Sequence, residues 1–145
     1  MENLNEIFFY HLDKSIKTYR QFAQEKLKEN GFKITIDQWL VLKAVSNDPD
    51  ISHNDLAEAV FKDKASVTRI IELLVKSSYL KSAVHPDSGR KRKLTVTKKA
   101  DSLLNEIRPF VLKNRKTALK DISTDEIAIA EKVLKRISAN CKRKK

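Results

Sequence analysis

The chain has 145 residues, enough for one domain with a real core, and 41% hydrophobic residues with two Gly and three Pro argue for a helix-rich folded chain, not a disordered one. Thirty Lys and Arg against 19 Asp and Glu leave a net charge of +11, and the cations are clustered, so an acidic partner is implied (nucleic acid, anionic membrane or acidic protein) beyond mere solubility. The single cysteine, Cys141, excludes an internal disulfide framework and a cysteine-based zinc site. In chain order, the apolar residues Leu4, Ile7, Phe8, Leu12, Ile16, Tyr19, Phe22, Ala23 and Leu27 keep helical spacing. They predict one helix of roughly 25 residues from Leu4, stopped by Gly31. Thr35 and Gln38 form a capping box ahead of a second helix carrying Ile36, Trp39, Leu40, Leu42 and Val45, apolar on most sides and so expected at the centre of the fold. Asn47–Asp50 supplies turn chemistry. Ser52 caps a short third helix with Leu56, Ala57 and Val60 inward, and Asp63 caps a fourth, Lys64–Ser78.

A short helix, a tight turn and a longer helix make a helix-turn-helix. Leu80–Val84 then reads as a strand, Pro86–Gly89 as a turn and Lys93–Thr97 as a returning strand with Leu94 and Val96 on one face. Leu80, Val84, Leu94 and Val96 are expected to anchor this hairpin on the core. From Thr97 the chain is helical again, with Pro109 predicting a bend near Asn105–Pro109. Ser123–Glu126 is a second capping box, before a last helix with Ile127, Ala130, Leu134, Ile137 and Cys141 on one stripe. No repeat or low-complexity linker marks a domain boundary.

The function is carried by the fourth helix and the hairpin. At 100° per residue, Val67, Ile70, Ile71 and Leu74 point inward, Ala65, Arg69, Glu72 and Lys76 point outward, and Ser66 and Thr68 lie on the flanks. Small residues let a backbone approach a DNA major groove, hydroxyls meet phosphates or base edges, and Arg grips guanine bidentately. The hairpin tip adds Arg90, Lys91, Arg92 and Lys93 in a row, suited to phosphates or the minor groove. Such a surface by itself is no more than a solvated face; the helix-turn-helix before it and the basic hairpin behind it make it a winged helix-turn-helix that binds DNA through Lys64, Ser66, Thr68 and Arg69 of the helix and Arg90, Lys91 and Arg92 of the wing.

Ile34–Leu42, Asp55–Val60, Lys62–Leu74 and the wing ending Leu94–Thr97 resemble the MarR family of bacterial transcription regulators, the segment Asp63–Arg69 most specifically. The likeness covers essentially the whole chain. It implies a mainly α fold: one domain over residues 1–145, a winged helix-turn-helix core at about 34–97, and dimerisation helices at about 1–30 and 98–141. It also implies a homodimer whose two lobes read a pseudo-palindromic double-stranded operator, acting as a ligand-responsive repressor. Family wings carry Asp-x-Arg before the second strand; here Ser88 holds the Asp position, Asp87 precedes it and Arg90 takes the Arg position. A tip left unclamped by Asp87 is expected to be more mobile. Ala100 stands where the family often has Gly.

Members of that family often bind small aromatic or phenolic anions or sense oxidants through a Cys, and Phe8, Phe9, His11 and Trp39 are the residues that could line an aromatic pocket, with ordinary packing as the alternative for them. Cys141 is expected as a buried or dimer-contact thiol. His11, His53 and His85 lie in separate elements without ligand spacing, so neither metal nor cofactor is expected. No nucleophile motif, glycine-rich phosphate loop or paired-acid signature points to an enzyme. Met1–Ser15 has no basic leader and no apolar run is long enough for a membrane span, so a soluble cytoplasmic protein without membrane partner is the expectation. The competing reading is a sequence-tolerant nucleic-acid or architectural binder using the wing and the basic tail from Cys141 to Lys145 electrostatically.

Overall fold

The computed structural model describes residues 1–142, with backbone only for residues 88–91. A 3-10 turn at Leu4–Glu6 is followed by α1 (Phe8–Glu29), α2 (Ile36–Asn47), α3 (His53–Ala59), α4 (Lys64–Lys76), a hairpin of β1 (Leu80–His85) and β2 (Ser88–Val96), α5 (Lys98–Ala118) and α6 (Thr124–Cys141). The chain forms two compact units, Met1–Asn114 and Arg115–Lys145. The single opening helix expected from Leu4 is broken at Ile7, whose backbone is extended (φ −91°, ψ 116°), so α1 starts at Phe8. Helical spacing marks a face but does not see such a break.

The caps behave as their side chains dictate. Thr35 Oγ1 accepts from the Gln38 N–H at 3.1 Å while the Gln38 side chain accepts from the Thr35 N–H at 3.0 Å. Ser52 accepts from the Asp55 N–H and Asp63 from the Ser66 N–H. The Asp63 carboxylate is held below its ordinary acidity range by that backbone bond first and by the Ser66 hydroxyl second. The ends of α1, α3 and α4 share one bonding pattern: Phe32, Lys62 and Tyr79 N–H groups reach back to Leu27, Ala57 and Leu74, across Gly31, Phe61 and Ser78, which have φ of 80°, 59° and 63°. Glycine meets that left-handed geometry freely only at Gly31.

In the first unit, α2 is the central helix: Val41, Leu42 and Val45 are fully buried against Leu27 and Ile34, the inner faces of α3 and α4, and Ala100 and Ile107 of α5. Phe32 packs edge-on to Phe110 at 5.4 Å. Pro109 lies inside α5, which is helical without interruption through Asn105–Pro109. The hairpin pairs Leu80 with Val96 and Ser82 with Leu94, with an irregularity between Val84 and His85. Leu80 and Leu94 are buried and Val96 packs against the core. Val84, expected as a fourth anchor, is 57% exposed. It shares the face of Leu80, as strand alternation requires, but pairs with Arg92 beyond the edge of the core. Thr97 closes the root: its hydroxyl donates to Ser78 O at 2.7 Å and accepts from the Ala100 N–H at 3.2 Å, starting α5.

In the second unit, Ser123 and Glu126 make the expected capping box at 3.1 and 3.0 Å. No residue of α6 is buried. Cys141 is exposed in this chain and not buried. It lies on the stripe with Ile127, Leu134 and Ile137, of which Leu134 is exposed and the two isoleucines are half-buried.

Candidate nucleic-acid interface

The amphipathic α4 places its two faces as the 100° wheel requires. Val67, Ile71 and Leu74 are buried and Ile70 is half-buried, while Ala65, Thr68, Arg69, Glu72 and Lys76 are exposed. Lys64 is exposed at the first helical position. Of the expected helix contacts, Lys64, Thr68 and Arg69 therefore stand on accessible surface, and Ser66 is half-buried at its flank.

The two hydroxyls are internally bonded. Ser66 Oγ donates to Asp63 Oδ2 at 3.1 Å, and Thr68 Oγ1 donates to the Lys64 carbonyl at 2.8 Å. His53 Nε2 lies 3.1 Å from the same Thr68 oxygen. His53 was legible only as a histidine without metal-ligand spacing. Its link to α4 arises because the helix-turn-helix crossing lays the first residue of α3 beside the second turn of α4, a contact across 15 residues of sequence.

On the wing, Arg92 is exposed but folded back: its guanidinium donates to Ser82 Oγ at 3.1 Å and to Ser82 O at 3.2 Å. Lys93 is held by Asp50 of the α2–α3 loop at 2.8 Å, with His85 Nε2 3.7 Å from the same oxygen. The Lys93 hydrogen bond, then its charge, keep the Asp50 carboxylate below its ordinary range. This strap ties the hairpin to the loop that leads into α3. The side chains of Arg90 and Lys91, and so the question whether Asp87 clamps Arg90, lie outside the described residues; Asp87 itself donates its N–H to His85 Nδ1 at 3.1 Å.

Elsewhere, Asp37 at the start of α2 accepts two cations at 3.3 Å each, Arg20 of α1 and Lys62 of the helix-turn-helix turn. Beside it an open depression of about 530 Å³ is lined by Arg20, Gln24, Lys28, Thr35 and Asp37, among others. None of the four aromatic-pocket candidates lines it. Phe8 and Phe9 meet edge-on at 5.5 Å on exposed surface, His11 Nε2 lies 2.7 Å from Asn5 O, and Trp39 packs against the core. Among the described residues no His, Cys, Asp and Glu group could hold a metal ion, and no helix is long and apolar enough to cross a membrane.

A buried-faced helix α4 set after a short α3 and flanked by a two-stranded wing defines a winged helix-turn-helix protein. Residues 31–91, from just after α1 into β2, match the sequence model of the MarR family. Three solved structures show the same architecture over nearly the whole chain. BpsR of Bordetella bronchiseptica, whose structure concerns regulation of its DNA binding by 6-hydroxynicotinic acid, aligns with a TM-score of 0.85 at 22% identity, covering 95% of this chain and 97% of that one. A MarR/EmrR family transcriptional regulator from Acinetobacter sp. ADP1 gives 0.86 at 17% identity, covering 96% and 97%. A MarR protein from Peptoclostridium difficile gives 0.82 at 21%, covering 97% and 90%.

Proposed function

We propose that the protein is a sequence-specific double-stranded-DNA-binding transcription regulator, acting as a homodimeric repressor that a small aromatic or phenolic effector releases. The observation that carries the reading is the outer face of α4, where Ala65, Thr68 and Arg69 are exposed together on a helix whose opposite face is locked in the core. A small residue at the centre admits the backbone to a groove, and Arg69 beside it supplies the donor fork for guanine O6 and N7. The net charge of +11 supplies the sequence-independent attraction to phosphates.

Dimerisation is supported by apolar side chains that the single chain leaves uncovered: Leu4, Phe8, Phe9 and Ile16 near the start, and Ile129, Val133 and Leu134 on α6. An aromatic effector is supported by the exposed aromatic residues at the start of α1 and by the control of BpsR by 6-hydroxynicotinic acid. Phe8, Phe9, His11 and Trp39 remain its candidate residues, and titration with 6-hydroxynicotinic acid, followed by Trp39 fluorescence and by duplex release, tests that assignment.

The test of the reading as a whole is selection from a random duplex library at physiological salt, followed by affinity measurement on the recovered sites. A pseudo-palindromic site should emerge, and Arg69→Ala should weaken it by roughly 1–3 kcal/mol per half-site and relax preference at one guanine. Equal affinity for recovered and random duplex at the same salt would instead mark a sequence-tolerant binder.

A further inference from the structure

Both hydroxyls flanking the outer face of α4 have their single proton engaged inside the protein. A hydroxyl has one O–H to donate and two lone pairs to accept with. The Ser66 proton goes to the Asp63 carboxylate, and the Thr68 proton goes to the Lys64 carbonyl. Since Thr68 has no second proton, the 3.1 Å contact with His53 is made by an Nε2–H of the imidazole, donating into one Thr68 lone pair. Thr68 is then a saturated donor with one acceptor position left, on exposed surface.

We propose that His53 is a positioning residue that fixes the Thr68 hydroxyl as an acceptor, so that α4 reads an exocyclic amino group, adenine N6 or cytosine N4, at the base pair beneath Thr68. This rests on the DNA-reading function above and names its chemistry. Phosphate oxygens, guanine O6 and N7 and thymine O4 only accept, so a hydroxyl without a free proton has nothing to give them. The amino groups of adenine and cytosine are the major-groove donors, and an acceptor held in place matches them. The donor side of recognition falls to Arg69 and Lys64, both exposed on the same helix. Donation from His53 strengthens the Thr68 bond to Lys64 as well, since chained hydrogen bonds polarise one another. Without it the hydroxyl is free to turn and donate to a keto oxygen, so the same helix would accept either class of base.

The test starts from the selected operator. Thr68→Val keeps the shape of the side chain and removes the hydroxyl; the base pair whose preference it flattens is the one Thr68 reads. At that pair the wild-type protein should prefer adenine or cytosine on one strand. Replacing that adenine by purine, or that cytosine by pyrimidin-2-one, removes only the amino group and should weaken wild-type binding about fivefold, the worth of one net hydrogen bond, with no further loss in Thr68→Val. His53→Ala should relax preference at this pair alone, leaving the other positions and the circular-dichroism spectrum unchanged. His53→Gln, whose carboxamide N–H can replace the imidazole donor, should restore it. Loss of every sequence preference in the wild type would remove the DNA-reading function itself. Specific binding with a keto base preferred at the Thr68 pair, with no pair flattened by Thr68→Val, with a loss that follows the thymine methyl when uracil replaces it, or with an unchanged profile in His53→Ala, would overturn the proposal and leave that function standing.

Discussion

Leu80 and Val84 stand on one face of the same strand, four residues apart, and truncating each should give very different results. Leu80 is 1% exposed at the hairpin root, whereas Val84 is 57% exposed toward the tip. Leu80→Ala removes three buried carbons, about 2.4 kcal/mol at roughly 0.8 kcal/mol per buried methylene. The cavity left among neighbours that relax only in part raises this to about 3–4 kcal/mol. Val84→Ala removes two carbons that are more than half in water already, so the cost should stay below about 0.7 kcal/mol. Equilibrium urea unfolding, followed by helical circular dichroism and by Trp39 fluorescence, measures both. The Leu80 loss is a large fraction of a typical stability of about 5–15 kcal/mol and should move the midpoint clearly. If Leu80→Ala cost less than about 1 kcal/mol, or matched Val84→Ala, the hairpin would not be anchored as described and the wing would need another support.

Other outcomes follow from the same geometry. Leu42→Ala, at the fully buried centre of α2, should cost about 2–5 kcal/mol and lower the urea midpoint more than any exposed substitution. Asp63→Ala removes the cap of α4 and should lower the melting temperature at neutral pH. Because folding lowers the Asp63 pKa below its ordinary 3.8, its contribution is complete above that pH and fades as pH falls through the folded value, so the gap between variant and parent should close in acid. Asp50→Ala frees Lys93; as an exposed pair it should leave global stability nearly unchanged, but amide exchange in β1 and β2 should quicken. At Phe61, held at φ 59°, glycine relieves about 1–2 kcal/mol of left-handed strain against ~0.5–1 kcal/mol of added chain entropy, so unfolding should rank Phe61→Gly equal to or above the parent, with β-branched Phe61→Val below both.

Much of this fold was legible because its signals are local. Caps such as Thr35–Gln38 and Asp63 act over three residues, and the inner face of α4 follows from one helical period. What escaped depends on neighbours distant in sequence. Val84 continues the alternation of Leu80, and only the extent of the core decides that one is buried and the other wet. Ile7 fits the helical stripe yet breaks the helix. Lys93 and Arg92 both read as free wing cations, but Asp50 holds the first and Ser82 the second. At the site, Arg69 was legible as an outward residue and Thr68 as a flanking one, whereas His53 became visible only once the crossing of α3 and α4 set the imidazole against Thr68.

The corners at Phe61 and Ser78 bracket α4, one at its entrance and one at its exit. A left-handed glycine can wander through several backbone basins, while phenylalanine and serine have only a narrow well there. The joints on either side of α4 therefore act as pins and not as hinges. The helix cannot swivel to suit a strange sequence or retreat from a familiar one without carrying α3 and the hairpin with it. On the proposed DNA-reading function, a signal that silences it should move the lobe bodily, and a glycine at Phe61 should turn one pin into a hinge.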